Sequence, residues 1–593
     1  MTSPVDLPEM LHYMAPFVAF QDLLACARVS RQWHRFFTPY IWYSIVVPEE
    51  WSNDAAFPPL SVLEKNAHFI RSLTLKASKG LSSFFRHCTG LKTLVVFGEH
   101  VAKPHPDLWD ELTDLIRHNA SIEWIIFGFS LSNAPSTAFL KALPEACPNL
   151  RRYESSQGRY DDPEQVEALM QAITRLSQVS SRYEYFVNVP TVKRWTFPHL
   201  CELTLKDARG LGTQTQVDLV CQCPNIRLLK WTVCRETFFP VQEFCARIPA
   251  ACPRLCQLQM DGCGLPDPDD IGRILDSLAR LEQLMLCGSS ITRRTFRSLG
   301  RHFQTLQLLD VVDCFYVKSW MVQQILENCE NLTKLTSSVL LMRDIVAGKD
   351  WAAVGLKYLQ VNMVPTKSFA VSIEEQWMTF EQLSRLTQLQ HLATGPRSWT
   401  PREGLLYRME CGVDQLRTLT KLKVLIMGKS WQRMSKEDLA WMTGHLENLT
   451  KVEGIFHPDW DQHLKLSDGF RECGIEVQVI ERPDLLYSGD LMDDGEDDFA
   501  EYEAEEEDEE DEDYEEEEGE EGDDQDEDHY ADPQQQQQYQ QHYSQVDELA
   551  EDNDVPGDIV TGAGVHAGTM GTEANADPGP RAVDAEHTPR VLQ

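Results

Sequence analysis

The chain has 593 residues, 42% of them hydrophobic, and a formal net charge of -39 at pH 7. That length accommodates two or more domains and a large core. The charge is unevenly placed: residues 490–593 hold 39 Asp and Glu against two Arg, which leaves 54 acidic and 52 basic residues elsewhere. The body is therefore near neutral and lacks the basic stripe that general nucleic-acid binding needs.

The N-terminus has no basic region followed by an apolar run, so no secretory signal is expected. No apolar run is long enough to span a bilayer. Without a secretion signal, the sixteen cysteines read as reduced thiols of the cytosol or nucleus.

Taken in chain order, the first organised stretch is Leu7 to Trp42. Pro8 suits the first turn of a helix, where its missing N–H costs nothing. Leu7, Met10, Leu11 and Met14 recur at helical spacing, and Pro16 should end or kink that helix. Asp22 is placed to cap a second helix. Leu23, Ala27, Val29, Trp33 and Phe36 or Phe37 give that helix an apolar side, and Thr38-Pro39 should stop it. Some forty residues of short helices cannot bury a sufficient core alone, so this apolar surface needs a partner.

Leu7-Pro8-Glu9, Asp22-Leu23-Leu24, Val29, Arg31, Trp33 and Ile41-Trp42 together resemble an F-box, with the spacing of fungal members. One departure is Pro16, where many F-boxes continue the first helix. The resemblance implies docking to a Skp-type adaptor, and through it to a cullin. It also implies that Leu7, Pro8, Leu11, Leu23, Leu24, Val29 and Trp33 carry that interface or the packing beneath it. An ordinary helical cap on a solenoid is the bland alternative.

From about residue 60 the chain repeats itself. An apolar anchor is followed by apolar residues three and five positions on, as in Ile70/Leu73/Leu75, Leu200/Leu203/Leu205, Leu281/Leu284/Leu286 and Leu422/Leu425/Met427. Weaker copies start at Ile122, Leu150, Leu332, Leu389 and Leu449. From Leu200 the anchors fall at 226, 255, 281, 306 and 332, within the ~20–29 residue period of leucine-rich repeats. Each unit is a short strand plus a return helix or 3₁₀ turn, stable only against its neighbours. Cys88, Cys147, Cys223, Cys252 and Cys329 sit three residues before an anchor. Cys234, Cys263 and Cys314 sit eight after one. The section resembles the cysteine-containing type of leucine-rich repeat, often found behind an F-box. A metal site at Cys221/Cys223 or Cys252/Cys256 lacks a second ligand pair at zinc spacing.

The expected fold is thus α/β. A helical F-box (1–48) precedes a leucine-rich-repeat solenoid (60–483) with parallel strands on the concave face and helices outside. Insertions are expected near 161–187, which reads as an extra helix, and 364–378, which reads as a loop or extra helix. Each is either a binding element or a tolerated surface loop. Residues 484–593 read as a disordered acidic, Gln-rich tail, because like charges repel and apolar surface is scarce. Such a tail either keeps the protein soluble or binds basic proteins such as histones.

Outward residues of the strands should line the concave sheet, among them Lys230, Gln259, Met285, Asp310, Lys334, Tyr358 and Gln360. Their mixed character suits a protein or peptide rather than DNA or lipid. Of seven tryptophans in the second half, Trp399 is the one expected in an exposed loop. No phosphate loop, nucleophile elbow or zinc-protease motif is present, and no cofactor, metal or catalytic residue is expected. The function these features imply is that of a substrate-recognition subunit of a Skp–cullin–F-box ubiquitin ligase. The repeats would hold an unidentified protein substrate and contribute proximity rather than chemistry. The alternatives are a repeat scaffold or inhibitor that never meets a ligase, and a histone-binding protein driven by its tail.

Overall fold

An anchor followed by apolar residues three and five places on builds a strand whose alternate side chains face one core. The computed structural model describes residues 8–47, 58–76, 86–97, 108–128, 134–187, 194–233, 238–261, 265, 267–365, 372–395 and 404–478. The acidic tail, the loop carrying Trp399, Leu7, Cys234 and Cys263 lie outside them.

Seventeen strands form one parallel sheet. The first are β1 (Ser44–Val47), β2 (Ser72–Lys76), β3 (Thr93–Phe97), β4 (Trp124–Phe127) and β5 (Arg152–Ser156). Two short strands, β6 (Arg159–Tyr160) and β8 (Tyr185–Phe186), pair with each other in a separate parallel ladder. The main sheet continues through β7 (Gln178–Arg182), β9 (Glu202–Lys206), β10 (Leu228–Thr232), β11 (Gln257–Asp261) and β12 (Gln283–Cys287). It ends with β13 (Leu308–Asp310), β14 (Lys334–Leu341), β15 (Tyr358–Val364), β16 (His391–Ala393), β17 (Val424–Trp431), β18 (Lys451–Ile455) and β19 (Glu476–Gln478). Each strand of the main sheet pairs with the next in chain order. Between strands the chain returns through helices such as Thr213–Cys221, Val241–Ala251 and Ser319–Asn328. Before β17 it returns through two 3₁₀ turns, Met409–Cys411 and Val413–Thr418. The architecture is that of a leucine-rich-repeat solenoid.

Register explains the stability. Leu203, Leu229, Leu258, Leu284, Leu309, Leu335, Leu359, Leu392, Leu425 and Val452 are partners from β9 to β18, and all are buried. Each such side chain contributes about 1.5–3 kcal/mol by leaving water, and none does so without its neighbours. The position three before the anchor ties one turn to another. Asn119 there accepts from Leu91 N (3.0 Å) and donates to Leu115 O (2.8 Å). Cys252 donates its S–H to Val220 O at 3.2 Å. Cys88, Cys147, Cys223 and Cys329 occupy the same place and are buried.

The segment 161–187 is not an insertion. Helix Pro163–Ile173 is a return helix, and β7 lies in register between β5 and β9. Its core residues are Leu176, Val179 and Ser181, and the serine at the third position hides the repeat from a search for apolar residues. Ser155 stands at the same place in β5. The room that two leucines would fill is taken by Tyr160 and Phe186 of the side ladder, stacked 4.9 Å apart at 7°. Glu184 is buried among them: Tyr160 Oη donates to its Oε1 at 3.4 Å, and Ser181 Oγ donates to its Oε2. In the other expected insertion, residues 366–371 lie outside the described residues, while Ile373–Met378 belong to the return helix Ile373–Ser384.

The N-terminal stretch folds as α1 (Pro8–Met14), α2 (Phe20–Cys26) and α3 (Arg31–Ile41). Pro16 falls in a 3₁₀ turn, Ala15–Phe17, directly after α1. The expected second helix is in fact two. Asp22 lies inside the first turn of α2, whose N-cap is Ala19, and Ser30 caps α3 by accepting from Trp33 N at 3.1 Å. Pro39 does not stop α3, which runs on to Ile41, because Trp42 N still reaches Thr38 O at 3.1 Å. Trp42 packs against the solenoid core, where β1 begins.

Candidate protein-binding surfaces

The three N-terminal helices have a small core of their own, built from Leu11, Ala15, Leu23, Ala27 and Phe37. Trp33, Phe36, Tyr40 and Ile41 pack on it half-buried. A tyrosine–histidine bond, Tyr40 Oη to His12 Nδ1 at 2.6 Å, ties α3 to α1. What this core leaves outside is unusual. Met10, Tyr13, Met14, Phe17, Phe20, Leu24 and Val29 are all exposed, Val29 by 65% and Phe17 by 52%. Of the residues that the F-box resemblance points to, Leu11 and Leu23 are therefore packing residues, and Trp33 is half-buried. Leu24 and Val29 stand in solvent, and Pro8 opens α1. Val29, expected on the buried side, lies in the turn between α2 and α3, which the sequence read as continuous helix.

On the sheet, strand alternation puts one set of side chains on the face opposite the core. Register turns the expected residues into rows. Lys230, Gln259, Met285, Asp310, Thr336 and Gln360 are successive partners from β10 to β15. One step earlier on the strands, Lys334, Tyr358 and His391 are partners from β14 to β16. These rows make a connected patch. Lys334 Nζ lies 3.7 Å from an Asp310 carboxylate oxygen and 5.1 Å from the centre of the Tyr358 ring. That ring also stacks on His391 at 4.2 Å and 9°. Tyr358 Oη donates to Gln360 Oε1 at 2.7 Å. Burial, with the nearby Lys334 and Lys451, lowers the His391 imidazole from its ordinary value. His391 escaped the sequence reading because its repeat sits in the irregular stretch after Leu332; the anchor Leu389 was its only signal.

Three buried polar atoms in these rows have no hydrogen-bond partner: Gln259 Oε1, Thr336 Oγ1 and His391 Nε2. Buried polar atoms are nearly always satisfied, so this face has hydrogen-bonding capacity to spare.

Trp399 lies outside the described residues. Trp351 is buried and donates its N–H to Gln323 Oε1 at 3.0 Å, whereas Trp377 and Trp431 are exposed. No group of three or more His, Cys, Asp or Glu side chains gathers to hold a metal among the described residues. No helix among them is long and apolar enough to cross a membrane.

No protein-family model and no curated protein matches the chain. Among solved structures, the chain is similar to that of the TLR13–ssRNA13 complex, with a TM-score of 0.33 and 12% identity over 69% of this chain and 64% of that one. It is similar to an internalin of Listeria monocytogenes, with a TM-score of 0.29 and 12% identity over 67% and 88%. It is also similar to a chain of the Toll–Spatzle complex of Drosophila, with a TM-score of 0.28 and 11% identity over 65% and 57%. The match thus spans less than two thirds of the TLR13 and Toll chains.

Proposed function

We propose that this protein is the substrate-recognition subunit of a Skp–cullin–F-box ubiquitin ligase. Its helical unit, residues 1–48, docks a Skp-type adaptor, and its repeats hold a protein target. The observation that carries the reading is the helical unit itself. Its motif order resembles an F-box, and its own core leaves Met10, Met14, Phe17, Phe20, Leu24 and Val29 exposed. An exposed apolar cluster of that kind marks an interaction surface. Leu24 and Val29 would touch the adaptor, as would Leu7 and Pro8. Leu11, Leu23 and Trp33 would hold the helices that present them. The target would lie on Lys230, Gln259, Met285, Asp310, Lys334, Tyr358 and Gln360, where unsatisfied polar atoms remain. No cofactor is needed, since the subunit contributes proximity.

The test is a pull-down of the full chain against purified Skp-type adaptor, with Leu24→Asp/Val29→Asp as the disruptive variant. Both side chains are exposed, so this variant should fold and lose the adaptor. Equal capture of wild type and variant would sink the assignment of that face. Failure of the wild type to bind would leave a repeat protein that works outside a ligase.

A further inference from the structure

Among the described residues, the concave face carries a group of cations without a counter-ion. Arg182 ends β7, Lys206 ends β9 as its register partner, and Lys230 lies on β10 one strand over and two residues back. All three are half-buried. Arg182 Nε donates to Ser180 Oγ at 3.2 Å, and Lys206 Nζ lies 5.4 Å from the centre of the Tyr183 ring. None of the three meets a carboxylate within ion-pair distance among the described residues. By contrast, Arg152 pairs with Glu154, Arg159 with Asp161, Arg209 with Asp207, Lys334 with Asp310 and Lys451 with Glu476. Asp207, beside Lys206, is already held by Arg209 at 3.1 Å. Glu202 sits at the far end of the same strand as Lys206.

We infer that Arg182, Lys206 and Lys230 form the docking surface for an acidic segment of a partner protein, an extended stretch whose Asp or Glu carboxylates meet the three cations in turn. The spacing favours successive carboxylates over one compact dianion. Adjacent strands lie about 4.8 Å apart and a two-residue step along a strand is about 6.7 Å, so the charged groups spread rather than converge. An extended peptide presents same-side residues at that two-residue interval. Half-buried cations with no internal partner bind a complementary charge at smaller desolvation cost than paired ones. The Ser180, Thr204 and Thr232 hydroxyls lie on the same strands and supply neutral contacts between the charges. Three cations are fewer than the phosphate contacts on which nucleic-acid binding rests, so a short acidic segment is the better fit.

At the rim, Tyr183 and Tyr185 are exposed beside this group. Tyr183 is held at φ 55, a left-handed backbone that a bulky residue adopts only where its surroundings impose it. Its amide bonds Lys206 O, so the ring is fixed under the ammonium and the site is organised before anything binds.

This inference deepens the reading of the concave face as the target-binding surface and does not depend on adaptor docking. The test measures fluorescence anisotropy of a labelled ten-residue peptide alternating Glu and Ala, with a Gln/Ala peptide as the neutral control. The full chain should bind the first and not the second, and binding should weaken as salt is raised through the screening range. Arg182→Glu/Lys206→Glu/Lys230→Glu should weaken binding by about tenfold or more. Arg175→Glu/Arg254→Glu/Lys436→Glu, which makes the same charge change at exposed positions outside the rows, should leave it unchanged. Lys206→Met/Lys230→Met keeps the side-chain stems and removes the charge, so a folding defect in the triple variant cannot imitate the result. Equal loss in both triple variants would overturn the proposal. So would binding of a neutral peptide bearing one phosphoserine in preference to the Glu/Ala peptide. Adaptor capture by the same variants separates the two readings: it should persist when peptide binding is lost.

Discussion

Glu184 offers the sharpest check on the interior of the solenoid. It is 1% exposed, with Ser155, Ser181 and Tyr160 beside it and a cavity of ≈ 30 Å³ whose lining includes Val179, Phe186 and Leu203. Burial pushes its carboxyl up from the ordinary 4.5 to about 7, while hydrogen bonds from Ser155, Ser181 and Tyr160 pull the other way. The folded chain therefore holds a proton that the unfolded chain has already released between pH 4.5 and 7. The stabilising share of that proton is fully present below pH 4.5 and is lost as pH rises through 7. At 1.36 kcal/mol per unit, the loss is about 3 kcal/mol, concentrated where β5, β7 and β9 meet. Glu184→Gln keeps the shape and abolishes the titration. Hydrogen exchange of a peptide spanning residues 176–186 reads the local stability. At pH 4 the variant and the wild type should exchange alike. At pH 8 the variant should be protected by about two orders of magnitude more. The same ratio at both pH values would mean that the carboxylate is solvated or paired in the native state, and the account of this core would be wrong.

His463 should act in the opposite direction. Burial, reinforced by Arg471, lowers its imidazole to about 4. Its stabilising share is present above pH 6.5 and lost as pH falls towards 4, about 3 kcal/mol in all, so His463→Gln should flatten the acid limb of thermal melts. Asn119→Ala should cost about 1–3 kcal/mol, because it strands the buried Leu91 N–H; a melt unchanged within error would refute the tie between turns. Phe37→Ala should cost about 3–5 kcal/mol in the helical unit and abolish adaptor capture. In contrast to Leu24→Asp/Val29→Asp, it should also expose α3 to proteolysis. Burial raises the thiols of Cys88, Cys147, Cys252, Cys314 and Cys329 to about 12. In native protein at pH 8, a thiol reagent should therefore modify the exposed Cys473 well before these five, and denaturant should erase the difference.

How much of this was legible in the sequence follows from what each signal depends on. The leucine ladder was readable because stacking requires the same apolar residue at the same place in every turn. The repeat at Leu176 was not, because its third core position is Ser181. The volume deficit is made good by Tyr160 and Phe186, which come from outside the strand and have no fixed spacing from it. The same limit applies to the helical unit. Apolar spacing found its helices, yet only the cap at Ser30 divides α2 from α3, and that division turns Val29 outward. On the concave face, alternation was enough to identify Lys230 and Tyr358 as outward residues. It could not show which cations are paired, because Lys334 meets Asp310 across a strand boundary while Lys230 meets no carboxylate among the described residues. Pairing is a property of register between strands distant in sequence. A solenoid fixes that register by its core alone, so its concave face is free to vary in charge without loss of fold. For this reason the unpaired cations carry information about a partner that the repeated leucines cannot.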